Sequence, residues 1–160
     1  MTEEADGVPS GVNAPNPAAW RDVVADMDAT ADAYEDADWG VVKCHPGDVA
    51  VLTEGDRTGL DVVLPDDEYE TVESLFEDGV AFTEYEVLQA VEADTVYVVV
   101  VMEDPEREQA LLYPAYYGVP DAEKLLDTAD ADGLHVYLRR LDDDYVELVH
   151  ERPEFFEPDE

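Results

Sequence analysis

An unbroken apolar segment, Val96 to Met102, constrains the fold of this chain more than any other stretch of sequence. Its residues, Val-Tyr-Val-Val-Val-Val-Met, are almost all β-branched or aromatic, which is typical of a strand buried on both faces. The segment is far too short to span a bilayer. We therefore predict a buried strand here, within a soluble protein.

The remaining helices and strands follow from periodicity and from turn signals. Proline marks three helix starts, at Pro17 after the capping residue Asn16, at Pro65 and at Pro120. Helices are expected over 17–37, 65–78 and 120–131, and strands over 41–44, 48–53, 59–64, 82–91, 96–102, 109–117, 134–141 and 145–151. The order α-βββ-α-βββ-α-ββ predicts an α+β protein, with about three helices packed against a mostly antiparallel sheet.

Two local signals predict how individual strands are placed. The turn-forming residues His45-Pro46-Gly47 lie between the first two strands and predict a hairpin. Pro114 falls inside the strand over 109–117, and proline cannot donate a ladder hydrogen bond. We therefore expect that strand to lie at a sheet edge.

The length of 160 residues suits one domain, and the 46% of hydrophobic residues can supply its core. Glycine, proline and asparagine punctuate residues 1–15, which predicts a flexible N-terminal arm. Residues 16–152 are expected to form a single α+β domain. Residues 153–160 are rich in proline and acidic residues and are expected to form a C-terminal tail.

The charge of the chain is extreme, with 43 Asp and Glu against 8 Lys and Arg and a formal net charge of −35. A protein that mimics DNA would concentrate carboxylates on one face or in a tail. Here they occur in every segment, which favours adaptation to a cytoplasm rich in salt. At 1 M salt the Debye length is about 3 Å, so the repulsion between carboxylates is largely screened.

Composition also bounds the location and the partners. The acidic start lacks a basic region followed by an apolar run, so we expect a cytoplasmic protein without membrane contact. The single cysteine excludes an internal disulfide. Direct binding of nucleic acid is not expected, because Arg139-Arg140 is the only adjacent basic pair and phosphate contacts weaken at high salt.

Sequence motifs give no support for catalysis, a metal or a cofactor. Cys44 and His45 are adjacent, but neighbours on a strand point to opposite faces, which favours a buried thiol and a turn histidine. The only serines, Ser10 and Ser74, lie outside any Gly-x-Ser-x-Gly elbow. No two histidines have the spacing of a ligand pair. We predict no catalytic residue, no metal site and no cofactor, and we leave open whether the protein is an enzyme.

The last two strands allow a prediction of register. A loop of Asp142–Asp144 would place Leu138 opposite Leu148 and Val136 opposite His150. Apolar side chains then meet on one face of the hairpin, which is the pairing that stabilises antiparallel strands.

The same register sets Arg139 opposite Glu147 and His135 opposite Glu151 on the other face. Tyr137 shares that face, because side chains alternate along a strand. A base, a phenol, a cation and two carboxylates would thus lie together. These five residues are our candidate contact site for a ligand or partner, although cross-strand pairing on a solvated surface would produce the same pattern.

Two segments carry a resemblance to known proteins, Gly47–Leu52 and Thr58–Glu68. Together they resemble short uncharacterised proteins of haloarchaea, and the similarity extends over most of the chain from the first helix onward. The resemblance implies a salt-rich cytosol. It implies no activity, because such families have none assigned.

Two functions remain open. The first is a non-catalytic domain that acts through contacts with a protein partner or with a second copy of itself. The second is a protein that binds a small anionic ligand, or an enzyme, with its site on the last hairpin. A flat apolar patch at a sheet edge would favour the first, and a deep pocket with convergent polar groups would favour the second.

Overall fold

The computed structural model describes residues 16–142 and 144–158, so the predicted arm lies outside the described residues. Helix α1 spans Pro17–Asp36, α2 spans Asp66–Glu77 and α3 spans Val119–Asp127. A short 3-10 helix, which we call the C-terminal turn, spans Pro153–Phe156. None of the helices in the described part of the chain is long and apolar enough to cross a membrane.

Helix α1 forms where its capping residue and its apolar stripe predict it. The Asn16 side chain accepts hydrogen bonds from two backbone amides of the first turn. Trp20, Val23, Met27 and Ala31 recur at helical spacing, and all four are buried. This stripe is the face of α1 that packs against the first of the two sheets.

The first of two sheets, sheet A, has the strand order β1-β6-β5-β4. Its strands are β1 Gly40–Lys43, β4 Glu84–Glu92, β5 Thr95–Asp104 and β6 Gln109–Gly118. Strands β4, β5 and β6 pair antiparallel, and β1 pairs parallel with β6.

The second sheet, sheet B, has the strand order β2-β3-β7-β8. Its strands are β2 Asp48–Leu52, β3 Gly59–Val63, β7 Leu134–Arg139 and β8 Tyr145–His150. Strands β3 and β7 pair parallel, and the other two pairings are antiparallel. The α+β class and the order of elements are confirmed, and the strands form two sheets with mostly antiparallel pairing.

The predicted hairpin around residues 45–47 is wrong, because β1 and β2 belong to different sheets. The backbone N–H of Cys44 still donates to the Leu112 carbonyl of sheet A at 2.9 Å. Three residues later, the N–H of Gly47 donates to the Val63 carbonyl of sheet B, also at 2.9 Å. The segment therefore carries the chain from one sheet to the other.

The expectation that the strand with Pro114 lies at an edge is also wrong, because β6 lies between β1 and β5. The Leu112 carbonyl accepts the bond from Cys44, so the backbone groups of Leu112 point toward β1. Pro114, two residues on, points the same way. Strand β1 ends at Lys43, so the N–H that Pro114 lacks falls where the pairing with β1 stops, and the rest of β6 can still lie inside the sheet.

Both faces of sheet A are covered. On one face, the Trp20 ring of α1 meets the Tyr116 ring edge-on, with ring centroids 5.4 Å apart. On the other, the Tyr113 hydroxyl lies 2.9 Å from Nε2 of His150 in sheet B. The predicted two-sided burial of β5 is confirmed, since no residue of Val96–Met102 is more than 6% exposed.

The C-terminal turn also belongs to this packing. Phe156 is fully buried, and its carbonyl accepts a hydrogen bond from the Tyr117 hydroxyl at 2.5 Å. The packed part of the chain therefore continues past residue 152, where the domain boundary was expected.

A buried histidine holds the two sheets together. His150 is 1% exposed, and its ring lies 4.6 Å from that of Tyr85 and 5.6 Å from that of Phe156. Burial lowers the pKa of His150 from 6.5 to about 4. The ring is therefore neutral at pH 7, where it shares a hydrogen bond with the Tyr113 hydroxyl.

This burial predicts a loss of stability in acid. Because the folded pKa lies below the unfolded one, the unfolded chain binds the proton more readily once the pH falls below 6.5. The stabilisation from neutral His150 should be complete above pH 6.5 and fall by up to about 3 kcal/mol as the pH approaches 4.

Urea unfolding of the wild type and of His150→Phe at pH 7 and pH 4 measures this loss. The free energy of unfolding of the wild type, minus that of the variant, should decrease on acidification. Subtracting the variant removes the contribution of the carboxylates, which both proteins share. A difference that does not change with pH would contradict the burial of a neutral His150.

Candidate functional site

The structure brings four of the five predicted site residues onto one face of sheet B. His135, Tyr137 and Arg139 alternate along β7, and Glu147 lies on β8 opposite Tyr137. Glu151 follows the last residue of β8 and takes no part in the ladder. We call this surface the hairpin face.

The register of the hairpin differs from the prediction by two residues. Arg139 lies opposite Tyr145, where Glu147 was expected, and every other predicted pair moves with it. The cause is the turn, because the N–H of Arg140 donates to the Asp144 carbonyl at 3.0 Å and the turn begins one residue early. A shift of two residues keeps each side chain on its predicted face.

His135 lies between two carboxylates. Its Nε2 is 2.9 Å from Oδ2 of Asp130, and its Nδ1 is 2.5 Å from Oε2 of Glu147. Burial lowers the pKa of His135, but the hydrogen bonds to Glu147 and Asp130 outweigh it, so the net pKa is raised. Both ring nitrogens are engaged, so His135 serves as a clamp between two strands and a loop, with no nitrogen left for a general base.

Arg139 has a buried counter-ion that the sequence did not point to. Its Nε lies 2.9 and 3.0 Å from the two carboxylate oxygens of Asp61 on β3, and its Nη1 donates to the Arg140 carbonyl at 3.2 Å. Asp61 is only 6% exposed. The positive charge of Arg139 is therefore balanced within the protein.

A second arginine completes the hairpin face. The Tyr137 hydroxyl donates to the Thr58 carbonyl at 3.2 Å, and its ring packs against that of Tyr145 at 5.4 Å. The guanidinium carbon of Arg57 lies 5.6 Å from the Tyr137 ring and 4.8 Å from the Tyr145 ring. Within the described residues, Nη1 of Arg57 is buried and has no hydrogen-bond partner.

The adjacent Cys44 and His45 do not form a reactive pair. Cys44 is fully buried, and burial raises the pKa of its thiol. Glu68 of α2 accepts a hydrogen bond from the His45 amide at 2.6 Å, and its other oxygen lies 2.7 Å from the His45 ring Nδ1. This carboxylate fixes the crossing between the sheets. Across residues 16–142 and 144–158, no group of three or more His, Cys, Asp or Glu is placed to hold a metal ion.

Cavities open away from the hairpin face. One of about 440 Å³ is lined by Thr53, Thr58, Lys124, Asp127 and Thr128. Another of about 210 Å³ is lined by Val49, Ala50, Val51, Thr95, Tyr116, Tyr117, Gly118 and Asp121. Neither of these two cavities is lined by any of the five predicted site residues.

Large apolar side chains are exposed along two edge strands and in the turns beside them. They are Leu88 and Val91 on β4, Leu141 in the β7–β8 turn, Tyr145 and Val149 on β8, and Phe155 in the C-terminal turn. Strands β4 and β8 are edge strands of sheets A and B. They lie close together, since the Tyr85 ring of β4 contacts both His150 and Phe155. We call this region the edge surface.

Comparison with known proteins gives a family but no activity. A family model described as a family of unknown function (DUF7529) matches residues 5–158. No curated protein and no solved structure matches the chain. Both the hairpin face and the edge surface lie within the matched residues.

The pairing of Arg139 with Asp61 predicts how this face responds to mutation. Arg139→Met should lower the free energy of unfolding by about 2–4 kcal/mol, because it leaves the buried Asp61 carboxylate without its counter-ion. Adding Asp61→Leu should restore most of that loss. Denaturant unfolding of the two single variants and the double variant measures the coupling.

Arg152→Met is the matched control, since Arg152 and Glu154 form an exposed pair. It should change the free energy of unfolding by less than about 1 kcal/mol. If Arg139→Met is as mild as this control, the pair with Asp61 does not stabilise the fold and the structural role of Arg139 is wrong.

Proposed function

Since the chain belongs to a family of unknown function (DUF7529), its role must be inferred from its geometry, and we propose a non-catalytic domain that binds another protein through its edge surface. The groups that could have suggested catalysis are engaged elsewhere. Cys44 is buried, both ring nitrogens of His135 contact carboxylates, and Arg139 is paired with Asp61.

One observation carries this proposal. Within the described residues, the large apolar side chains that remain exposed lie on two of the four edge strands, β4 and β8, in the turn beside β8 and in the C-terminal turn. An edge strand offers backbone N–H and C=O groups to another chain, and neighbouring apolar side chains add contact area. Exposed apolar side chains beside open strand edges therefore favour a protein contact at these edges.

We further propose that the protein works in the salt-rich cytoplasm of a haloarchaeon. The support is the net charge of −35 and its even distribution along the sequence. Apolar contact and backbone pairing persist when salt screens charge, whereas exposed ion pairs weaken. An interface built on edge strands therefore suits such a cytoplasm.

A second candidate function has one observation in its favour. The buried Nη1 of Arg57 has no hydrogen-bond partner in the described residues, so it could donate to a small anion at the hairpin face. His135, Tyr137, Arg139, Glu147 and Glu151 would then surround the ligand as proposed contacts. The pairing of Arg139 with Asp61 makes this candidate weaker, since it removes the cation that was expected to anchor the anion.

Site-specific photo-crosslinking in cells tests the first proposal. A benzoylphenylalanine residue placed at Leu88 or Val149, in the edge surface, should form a discrete adduct with a protein that mass spectrometry can identify. The control position is Thr71 on α2, which is exposed and is not part of the edge surface. Equal labelling from all three positions, or none from the edge positions, would count against a protein contact there.

The halophilic assignment predicts that the fold depends on salt. Two like charges 4 Å apart repel by about 1 kcal/mol in water, which is large against a typical total stability of about 5–15 kcal/mol. Dilution from molar potassium chloride to millimolar salt should lower the melting temperature, followed by circular dichroism, by more than about 5 °C.

A neutral osmolyte at the same osmolality is the control, because it changes water activity without screening charge. The osmolyte should not restore the melting temperature that is lost when the salt is diluted. A melting temperature that is the same in both salt concentrations would reject the assignment.

A further inference from the structure

The cavity of about 210 Å³ lies where strand β2 of sheet B meets the end of β6 and the start of α3. Since one water molecule occupies about 30 Å³ in the liquid, the cavity has the volume of about seven waters. None of the residues that define the edge surface lines it. Whatever binds here is therefore independent of the proposed protein contact.

One wall of this cavity carries a buried hydroxyl group. Tyr116 is 3% exposed, and its hydroxyl has no hydrogen-bond partner in the part of the chain that the structure describes. Burial raises the pKa of Tyr116 to about 12, so the hydroxyl keeps its proton at neutral pH. The backbone N–H of Val49 approaches the same oxygen and lowers its pKa, but an N–H is a donor and cannot accept the phenol proton. Because buried donors are normally hydrogen-bonded, this wall suits a ligand that supplies an acceptor.

Strand β2 adds backbone donors to the same wall. The N–H of Leu64, just after β3, donates to strand β7, so the even-numbered residues of β3 direct their backbone groups toward β7 and Asp61 directs its groups toward β2. Asp61 pairs with Ala50. Val49 and Val51 therefore direct their N–H and C=O groups away from β3, at the edge of sheet B that borders the cavity.

Carboxylates around the cavity disfavour a ligand with a net negative charge. Asp121 lines the cavity, and the charge of Asp48 at the start of β2 is close enough to raise the pKa of Tyr116 further, after burial. Oδ1 of Asp121 lies 3.9 Å from Nζ of Lys124 in an exposed pair. Its Oδ2 lies over Gly118, where a Cβ would be 3.3 Å away. The Asp121 carboxylate is therefore placed to accept a hydrogen bond from an ammonium group in the cavity.

We propose that this cavity binds a small zwitterion of the α-amino acid class. The carboxylate of the ligand accepts hydrogen bonds from the Tyr116 hydroxyl and from the backbone N–H of Val49, and its ammonium group donates to Asp121. The two charges of the ligand cancel, so it approaches a protein of net charge −35 without net repulsion. Contacts with charged groups at a partly buried site are screened less by salt than exposed ion pairs are.

Titration of the full chain in molar potassium chloride, followed by NMR of the backbone amides, tests the class of ligand. L-Alanine should produce saturable shifts at the amides of Val49, Val51 and Gly118. Propionate lacks the ammonium group and isopropylamine lacks the carboxylate, so each should bind at least about tenfold more weakly than alanine. The amide of Leu88 in the edge surface is the internal control and should not shift.

Tyr116→Phe tests the buried hydroxyl. It should raise the dissociation constant for alanine at least about tenfold, because it removes one donor and keeps the ring. Tyr145→Phe, on β8, is the matched control and should stay within about threefold of the wild type. Without ligand, Tyr116→Phe should not lower the melting temperature, whereas Tyr117→Phe should lower it, since the Tyr117 hydroxyl donates to the Phe156 carbonyl.

Asp121→Asn tests the ammonium contact. The wild type should prefer alanine to propionate, and this variant should bind the two about equally, because it lacks the carboxylate that the ammonium group requires. Asp127→Asn, at the other end of the same helix, removes the same charge outside this cavity and should keep the preference.

Three results would overturn the proposal. They are the absence of saturable shifts at the cavity amides, propionate that binds the wild type as tightly as alanine does, and a folded Tyr116→Phe that binds alanine like the wild type. Crosslinking at Leu88 and Val149 does not involve this cavity, so any of these results would leave the proposed protein contact standing.

Discussion

Strand β5 has no solvent-facing side along Val96–Met102, so sheet A must be covered on both faces. Helix α1 covers one face, and sheet B covers the other. The second contact requires a neutral His150, because an imidazolium among Tyr85, Tyr113 and Phe156 would be costly to desolvate. Once both faces of sheet A are covered, the sheet edges and the hairpin face of sheet B remain available to another molecule.

Periodicity and turn signals predicted the three α-helices and the eight strands, because these signals depend on residues a few positions apart, but they did not predict the short 3-10 helix at Pro153–Phe156. Strand pairing was not predictable in the same way. The bond from Cys44 to Leu112 that directs β1 to sheet A joins residues far apart in sequence. No local signal at His45-Pro46-Gly47 distinguishes a hairpin from a crossing between sheets. The prediction from Pro114 was wrong for a related reason. Proline removes one backbone hydrogen bond to a neighbouring strand at its own position, and it does not prevent pairing along the rest of the strand.

On the hairpin face, too, features set by nearby residues were predictable from the sequence, whereas contacts between distant residues were not. The side-chain period of two placed His135, Tyr137 and Arg139 together, and a register error of two residues left that result intact. The residues that pair with these side chains in the folded protein could not be identified from the sequence. Asp61 lies 78 residues from Arg139 and was one of 43 acidic residues without a distinguishing pattern. Its burial, which makes it the counter-ion, exists only in the folded chain.

The extreme charge and the exposed edges are linked. A sheet edge with apolar side chains invites unselective pairing, and natural proteins limit it with charged residues on the strand. On β4 the carboxylates of Glu84, Glu86 and Glu92 lie toward the ends and leave Leu88 at the centre. A partner strand that sets a carboxylate opposite Glu86 is disfavoured by the like charges. The acidic residues of this edge therefore restrict which partner strand can pair with it.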